Sequence, residues 1–104
     1  MKVAFIITDK ESMTVGECLS SAKYFYIYDS LVDSYFDLEH SFVKENHHLA
    51  KSLSQYLSDN GVDIVVGKDL GPKAKASLEE SGVQWYLQEG NESIEQTIRT
   101  LRNK

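Results

Sequence analysis

The sequence predicts an α/β domain built on a mixed sheet, and three observations carry that expectation. Val3–Ile7 is a continuous apolar run, which suits a strand buried on both faces. Residues 24–29 and 34–40 are aromatic and β-branched runs separated by a short polar break around Asp33, which reads as an antiparallel hairpin. From residue 46 onward helical and strand patterns alternate, which predicts parallel strands joined by right-handed crossovers. Together they predict a mixed five-stranded sheet with helices on its faces.

The first strand ends where polar Thr8 and Asp9 follow Ile7. Residues 9–21 show little periodicity and read as a long loop, with a helical turn near Glu17–Ser20; a loop of this length in a small domain points to function. In the hairpin, Phe36 and Leu38 face one side, and Tyr35, Asp37 and Glu39 the other. Tyr24, Tyr26 and Tyr28 alternate along one strand face and are expected to pack against a helix layer. Asn46 is the expected cap of a helix reaching Asp59, with Leu49, Ala50, Leu53, Tyr56 and Leu57 as its apolar stripe. Asn60-Gly61 ends it, with Gly61 in the left-handed cap position.

Val62–Val66 is the next strand, and Gly67–Gly71 a tight turn into a helix that starts at Pro72 and runs to Ser81, with Ala74 and Leu78 as a thin core side. Gly82 stops this helix, and Val83–Leu87 is the last strand. Asn91 is the expected cap of a final helix in which Ile94, Ile98 and Leu101 share a face.

At 104 residues the chain is one domain's worth of sequence. Its net charge of −5 repels nucleic-acid phosphate, and only Lys73 and Lys75 form a close basic pair, so no nucleic-acid partner is expected. Cys18 is the one cysteine, which excludes an intramolecular disulfide. The apolar run at the amino terminus is too short for a signal peptide, and no stretch has the apolar length of a membrane span. The expectation is a cytoplasmic protein with no membrane partner.

Several segments match a known family: Met1–Ile7, the stretch Glu17-Cys18-Leu19-Ser20-Ser21-Ala22-Lys23-Tyr24-Phe25, the run Gly61-Val62-Asp63-Ile64-Val65-Val66-Gly67, and Leu70-Gly71-Pro72-Lys73-Ala74. In these segments and their spacing the chain resembles the dinitrogenase iron–molybdenum cofactor biosynthesis family along its whole length. The resemblance implies a single domain over residues 1–104 with a ribonuclease-H-like, three-layer fold. It implies a sheet of order 3-2-1-4-5 in which strand 2 is antiparallel, with helices on both faces. It also implies a metal cluster as cargo and cofactor-assembly proteins as partners. Typical members carry His-Phe-Gly in the first loop, where this chain has Cys18-Leu19-Ser20. A His-Gly-Gly-like entry to the first helix is replaced by Asn46-His47-His48.

The candidate cofactor-binding residues are Cys18, His47, His48, Gly67 and Gly71, with Cys18 the candidate metal ligand. A thiolate binds soft metals and metal–sulfur clusters, and the loop after the first strand lies at the carboxyl edge of the sheet, where open α/β sheets take ligands. Adjacent histidines at a helix start point about 100° apart, so one of the two, not both, is expected to reach a ligand. Gly67 and Gly71 let the backbone approach a cluster, and the helix start after them presents N–H groups to an anion. His40, at the end of a strand, is expected to be structural or exposed.

No C-x-x-C or H-x-x-x-H spacing supports a four-ligand zinc site. The expected function is therefore a non-catalytic binding or carrier protein for an iron- or molybdenum–sulfur cluster or its precursor. One alternative is an interaction or regulatory domain that has lost cluster binding. The other is a metal-dependent nuclease, which would draw on Asp9, Asp63 and Asp69 but has neither enough further acids nor a basic surface.

Overall fold

The computed structural model describes residues 1–9, 11–16, 19, 22–40, 49–90 and 92–103. Among these residues nine elements follow in chain order: β1 (Lys2–Asp9), β2 (Thr14–Val15), β3 (Tyr24–Asp29), β4 (Ser34–Glu39), α1 (Leu49–Asp59), β5 (Ile64–Gly67), α2 (Pro72–Glu80), β6 (Gln84–Leu87) and α3 (Ile94–Arg102). The sheet runs β4-β3-β1-β5-β6, with β2 paired to β1 off that path. β3 is antiparallel to β1, whereas β5 and β6 run parallel to it.

Two corrections to the sequence reading follow. The sheet has six strands, because part of the expected 9–21 loop is β2. The final helix takes its cap from Ser93, not Asn91: the Ser93 side chain accepts from Gln96 N at 3.1 Å, and Gln96 Oε1 accepts from Ser93 N at 2.9 Å. That reciprocal box satisfies two backbone donors at once, an advantage Asn91 would lack without a glutamate or glutamine three residues on. Asn91 and Asn46 themselves lie outside the described residues.

β1 is the centre of the molecule. Val3, Ala4, Phe5, Ile6 and Ile7 are all at 0% exposure. Because strand side chains alternate, Ala4 and Ile6 enter one apolar layer with Leu49, Leu53 and Leu57 of α1 and Ala74 and Leu78 of α2. Val3, Phe5 and Ile7 enter the other layer with Ile98 and Leu101 of α3. Tyr24 and Tyr28 are buried in that second layer, and Tyr26 packs at its margin, stacked on Tyr35 with ring centroids 5.0 Å apart. The tyrosine stripe is thus packing, as expected.

α1 and α2 stop by the same device. Val62 N donates to Leu57 O at 3.0 Å and Gly61 N to Ser58 O at 3.0 Å, with Gly61 at φ +77°. Val83 N donates to Leu78 O at 2.8 Å and Gly82 N to Glu79 O at 3.1 Å, with Gly82 at φ +78°. These paired bonds close each helix through a left-handed residue that favours glycine. Val62 is spent on this cap, so β5 starts at Ile64.

Pro72 opens α2 behind Gly71, as the sequence predicts. Tyr56 Oη donates to Glu39 O at 2.8 Å, tying α1 to the edge strand. His40 is structural: its Nε2 lies 2.8 Å from Ala22 O. Among the described residues no helix is long and apolar enough to cross a membrane.

Leu53→Ala should cost about 2–5 kcal/mol of unfolding free energy, and Leu31→Ala, at 86% exposure, under about 0.5 kcal/mol, both read from urea melts. A second expectation concerns alkaline pH. Burial raises Tyr24, Tyr35 and Tyr86 above the ordinary tyrosine value, and Tyr28 is raised first by its hydrogen bond to Asp33, then by burial. A raised tyrosine adds stability that is whole below the unfolded value of about pH 10 and is lost as pH rises through the folded value. The urea midpoint should therefore fall above about pH 10, and less steeply in a Tyr24→Phe, Tyr28→Phe double variant; equal slopes would contradict it.

Candidate functional site

The carboxyl ends of β1, β5 and β6 meet at one edge of the sheet. β1 runs beyond β5 there: Phe5 pairs with Val66, while Ile7 and Asp9 pair with Val15 and Thr14 of β2. Ile7 also pairs with Tyr24 of β3, so β2 occupies the β5 side of β1, in line with the end of β5. Without it, the upper part of β1 would leave backbone groups without partners. Gly16 N donates to Ile6 O at 2.7 Å, and Gly16 O accepts from Lys68 N at 3.0 Å. The start of the first loop is thereby strapped to the turn after β5.

Asp9 sits at the top of this hairpin. The Ser12 side chain and then the Glu11 backbone N–H, 3.1 Å away, hold its carboxyl below the ordinary aspartate range. Ser12 and Thr14 hydroxyls bond to each other across the turn. Met13 between them has φ +54°, uncommon for a non-glycine residue.

Of the predicted site residues, Gly67 and Gly71 are described. Gly67 is buried, and its carbonyl accepts from Gln88 N at 2.9 Å, joining the ends of β5 and β6. Gly71 is half-buried and extended, with no atom within 4 Å of where a Cβ would stand. No side chain caps α2, so its first-turn N–H groups are left for solvent or a ligand. Cys18, His47 and His48 lie outside the described residues.

The described neighbours of the predicted crevice do converge. Leu19 from the loop, Leu49 at the start of α1 and Leu70 before α2 share one core cluster. Among the described residues no group of three or more His, Cys, Asp and Glu side chains is placed to hold a metal ion. Asp63 is at the opposite edge, where its carboxylate accepts from Lys2 N at 2.8 Å, so it does not join Asp9 and Asp69.

Sequence reasoning missed a second feature. On the α3 face of the same edge, a cleft of about 480 Å³ lies between β2 and the start of α3. Gln88, 5% exposed, is part of its wall. The Ser93-x-x-Gln96 pair was the one available signal for where α3 starts and hence for this wall.

A family model described as dinitrogenase iron-molybdenum cofactor matches residues 1–104. Among solved structures, the apo form of the orange protein from Desulfovibrio gigas superposes with a TM-score of 0.81 at 15% identity, over 98% of this chain and 87% of that one. The NMR structure of a proposed NifB protein from Thermotoga gives 0.71 at 24% identity, over 98% and 87%. A proposed dinitrogenase from Methanocaldococcus jannaschii gives 0.67 at 16% identity, over 99% and 88%. These likenesses show the shared fold. No curated protein sequence gives a match.

The strap makes a prediction for amide exchange. The amides of Gly16 and Lys68 should exchange far more slowly than that of Glu11, whose N–H is bonded to the exposed Asp9 side chain. Equal rates in a hydrogen-exchange NMR series would mean that the loop is not tied to the turn.

Proposed function

This chain belongs to the dinitrogenase iron–molybdenum cofactor family, and on that premise we propose that it is a non-catalytic binding or carrier protein for a metal–sulfur cluster or its precursor. The family match over residues 1–104 is the observation that carries this reading. The cluster is cargo, handed between cofactor-assembly proteins in the cytoplasm, and the three-layer domain is of ribonuclease-H type without that activity.

Cys18 is the proposed protein ligand. It stands where typical members carry histidine, and a thiolate is at least as good a donor to iron and molybdenum in a sulfide environment. His47 or His48 supplies a further donor. The described residues lend themselves to a cluster more than to a bare ion: they offer open space at Gly71 and uncapped N–H groups at the start of α2, but no closed ligand set. Backbone N–H groups at a helix start suit a sulfide-rich anion. A domain that surrounds a cluster and ligates it at one or two points needs no more than this.

The replacement of histidine by Cys18 also favours a second reading, an interaction or regulatory domain that has lost the cargo. Anaerobic reconstitution with iron, molybdate and sulfide separates the two. The wild type should take up metal and develop visible absorption, and Cys18→Ala should lose most of it. Equal uptake by both would remove Cys18 from the site, and no uptake by the wild type would leave the second reading standing.

A further inference from the structure

The caps of α1 and α2 differ in one chemical respect. α1 closes through Asn60-Gly61 and α2 through Ser81-Gly82, with the same pair of backbone hydrogen bonds and nearly the same φ at the glycine, +77° and +78°. Only the first places a side-chain amide immediately before the glycine. Asparagine is a heat- and age-labile residue because the next backbone nitrogen can attack its side-chain amide. A following glycine has no side chain to obstruct that ring closure. The other asparagines precede His47, Glu92 and Lys104, whose side chains do obstruct it.

Both residues of the pair serve the cap. Gly61 supplies the left-handed backbone, and Asn60 Nδ2 donates to Tyr56 O at 2.8 Å, adding a side-chain bond to the end of the helix. Lys2 Nζ donates to Asn60 O at 3.2 Å, which ties the cap to β1. The same bonds restrain the reaction. Gly61 N, the nucleophile, has its hydrogen engaged by Ser58 O at 3.0 Å, and Asn60 Nδ2, the leaving group, is held on Tyr56 O. The restraint is local. Asn60 and Gly61 are exposed, while Val62 behind them is buried, so the last turn can open without exposing the core.

We propose that Asn60 is a site of spontaneous deamidation, gated by opening of the α1 cap, with water as the co-reactant. Once the cap opens, hydroxide removes the Gly61 N–H proton and the nitrogen attacks Asn60 Cγ. The bond from Gly61 N to Cγ forms, the bond from Cγ to Nδ2 breaks, and Nδ2 leaves as ammonia with a proton from water. Water then adds to one of the two carbonyls of the cyclic imide and opens it. Opening on one side gives aspartate, and on the other isoaspartate. The net change is one water consumed and one ammonia released, with no oxidation or reduction.

Isoaspartate lengthens the main chain by one carbon between the Cα at position 60 and Gly61. The N–H groups of Gly61 and Val62 are thereby displaced from Ser58 O and Leu57 O, and the cap does not re-form. Conversion therefore loosens the end of α1 where it meets β1. This edge is opposite the proposed cluster crevice, so the site does not depend on the cluster and apo protein suffices to test it.

The test is to age the full chain at mildly alkaline pH, folded and in denaturing urea, and to map the products by peptide mass spectrometry. In both arms Asn60 should be converted ahead of the other asparagines. The folded chain should react at least about tenfold more slowly than the unfolded one. Urea well below the unfolding midpoint should leave the folded rate unchanged, because local opening exposes little surface. The isoaspartate form, separated from unmodified protein by its added negative charge, is then followed by hydrogen-exchange NMR. Gly61 and Val62 should exchange at least about tenfold faster than before, while Gly82 and Val83, in the like cap of α2, keep their rates. The proposal is overturned if Asn60 stays intact in the folded chain, if another asparagine reacts ahead of it, or if folded and unfolded chains react alike. It is equally overturned if the rate climbs in step with global unfolding, or if the isoaspartate form keeps Gly61 and Val62 protected.

Discussion

Burial of β1 on both faces governs the rest of the molecule. Five consecutive side chains with no exposed surface need an apolar layer above and below, and neighbours on both edges for their backbone groups. β3 and β5 supply the edges, α1 and α2 one layer, and α3 the other. The functional edge follows from a mismatch in length. β1 continues past the point where β5 stops, and the chain closes the gap with the two residues of β2 and the carbonyl of Gly16. The loop that begins there is thus held at its root by strand-like hydrogen bonds.

The same closure divides the carboxyl edge between two faces. Met13 and Val15 turn into the α3 layer, and Leu19 and Ala22 turn into the α1–α2 layer. One loop therefore contributes to two separate recesses. The first is bordered by glycine-rich backbone and an uncapped helix start, which suit a bulky anionic cargo. The second is lined by Met13, Val15, Lys68, Gln88 and the start of α3. Gly67 and Gln88 are joined by a backbone hydrogen bond of 2.9 Å, so the two recesses share a wall.

Much of this architecture was legible because periodicity and turn chemistry agree. The Val3–Ile7 run, the tyrosine-rich hairpin, the stripe on α1, and Gly61, Pro72 and Gly82 each announce one feature, and each is found. The misses have physical reasons. β2 is too short to display an alternating pattern, and its pairing is dictated by the vacant edge of β1, which no local signal reveals. Asn91 has the general character of a cap, but the reciprocal Ser93–Gln96 bonds outcompete it. Gln88 reads in sequence as an ordinary polar residue after a strand; its burial arises only when α3 folds back and Thr97 bonds to its amide. The candidate ligands Cys18, His47 and His48 rest on residue type, spacing and resemblance, since they lie outside the described residues.

The central claim is that cargo sits at the carboxyl edge of the sheet, against the strapped loop and the Gly67–Gly71 turn. Paramagnetic broadening of amide signals tests its location directly, using protein loaded anaerobically with a paramagnetic iron–sulfur cluster. The account predicts selective loss of signals from residues 14–22 and 67–71, with residues 30–33, 60–63 and 82–84 at the opposite edge remaining sharp. Broadening centred on the opposite edge, or spread evenly over the chain, would contradict it.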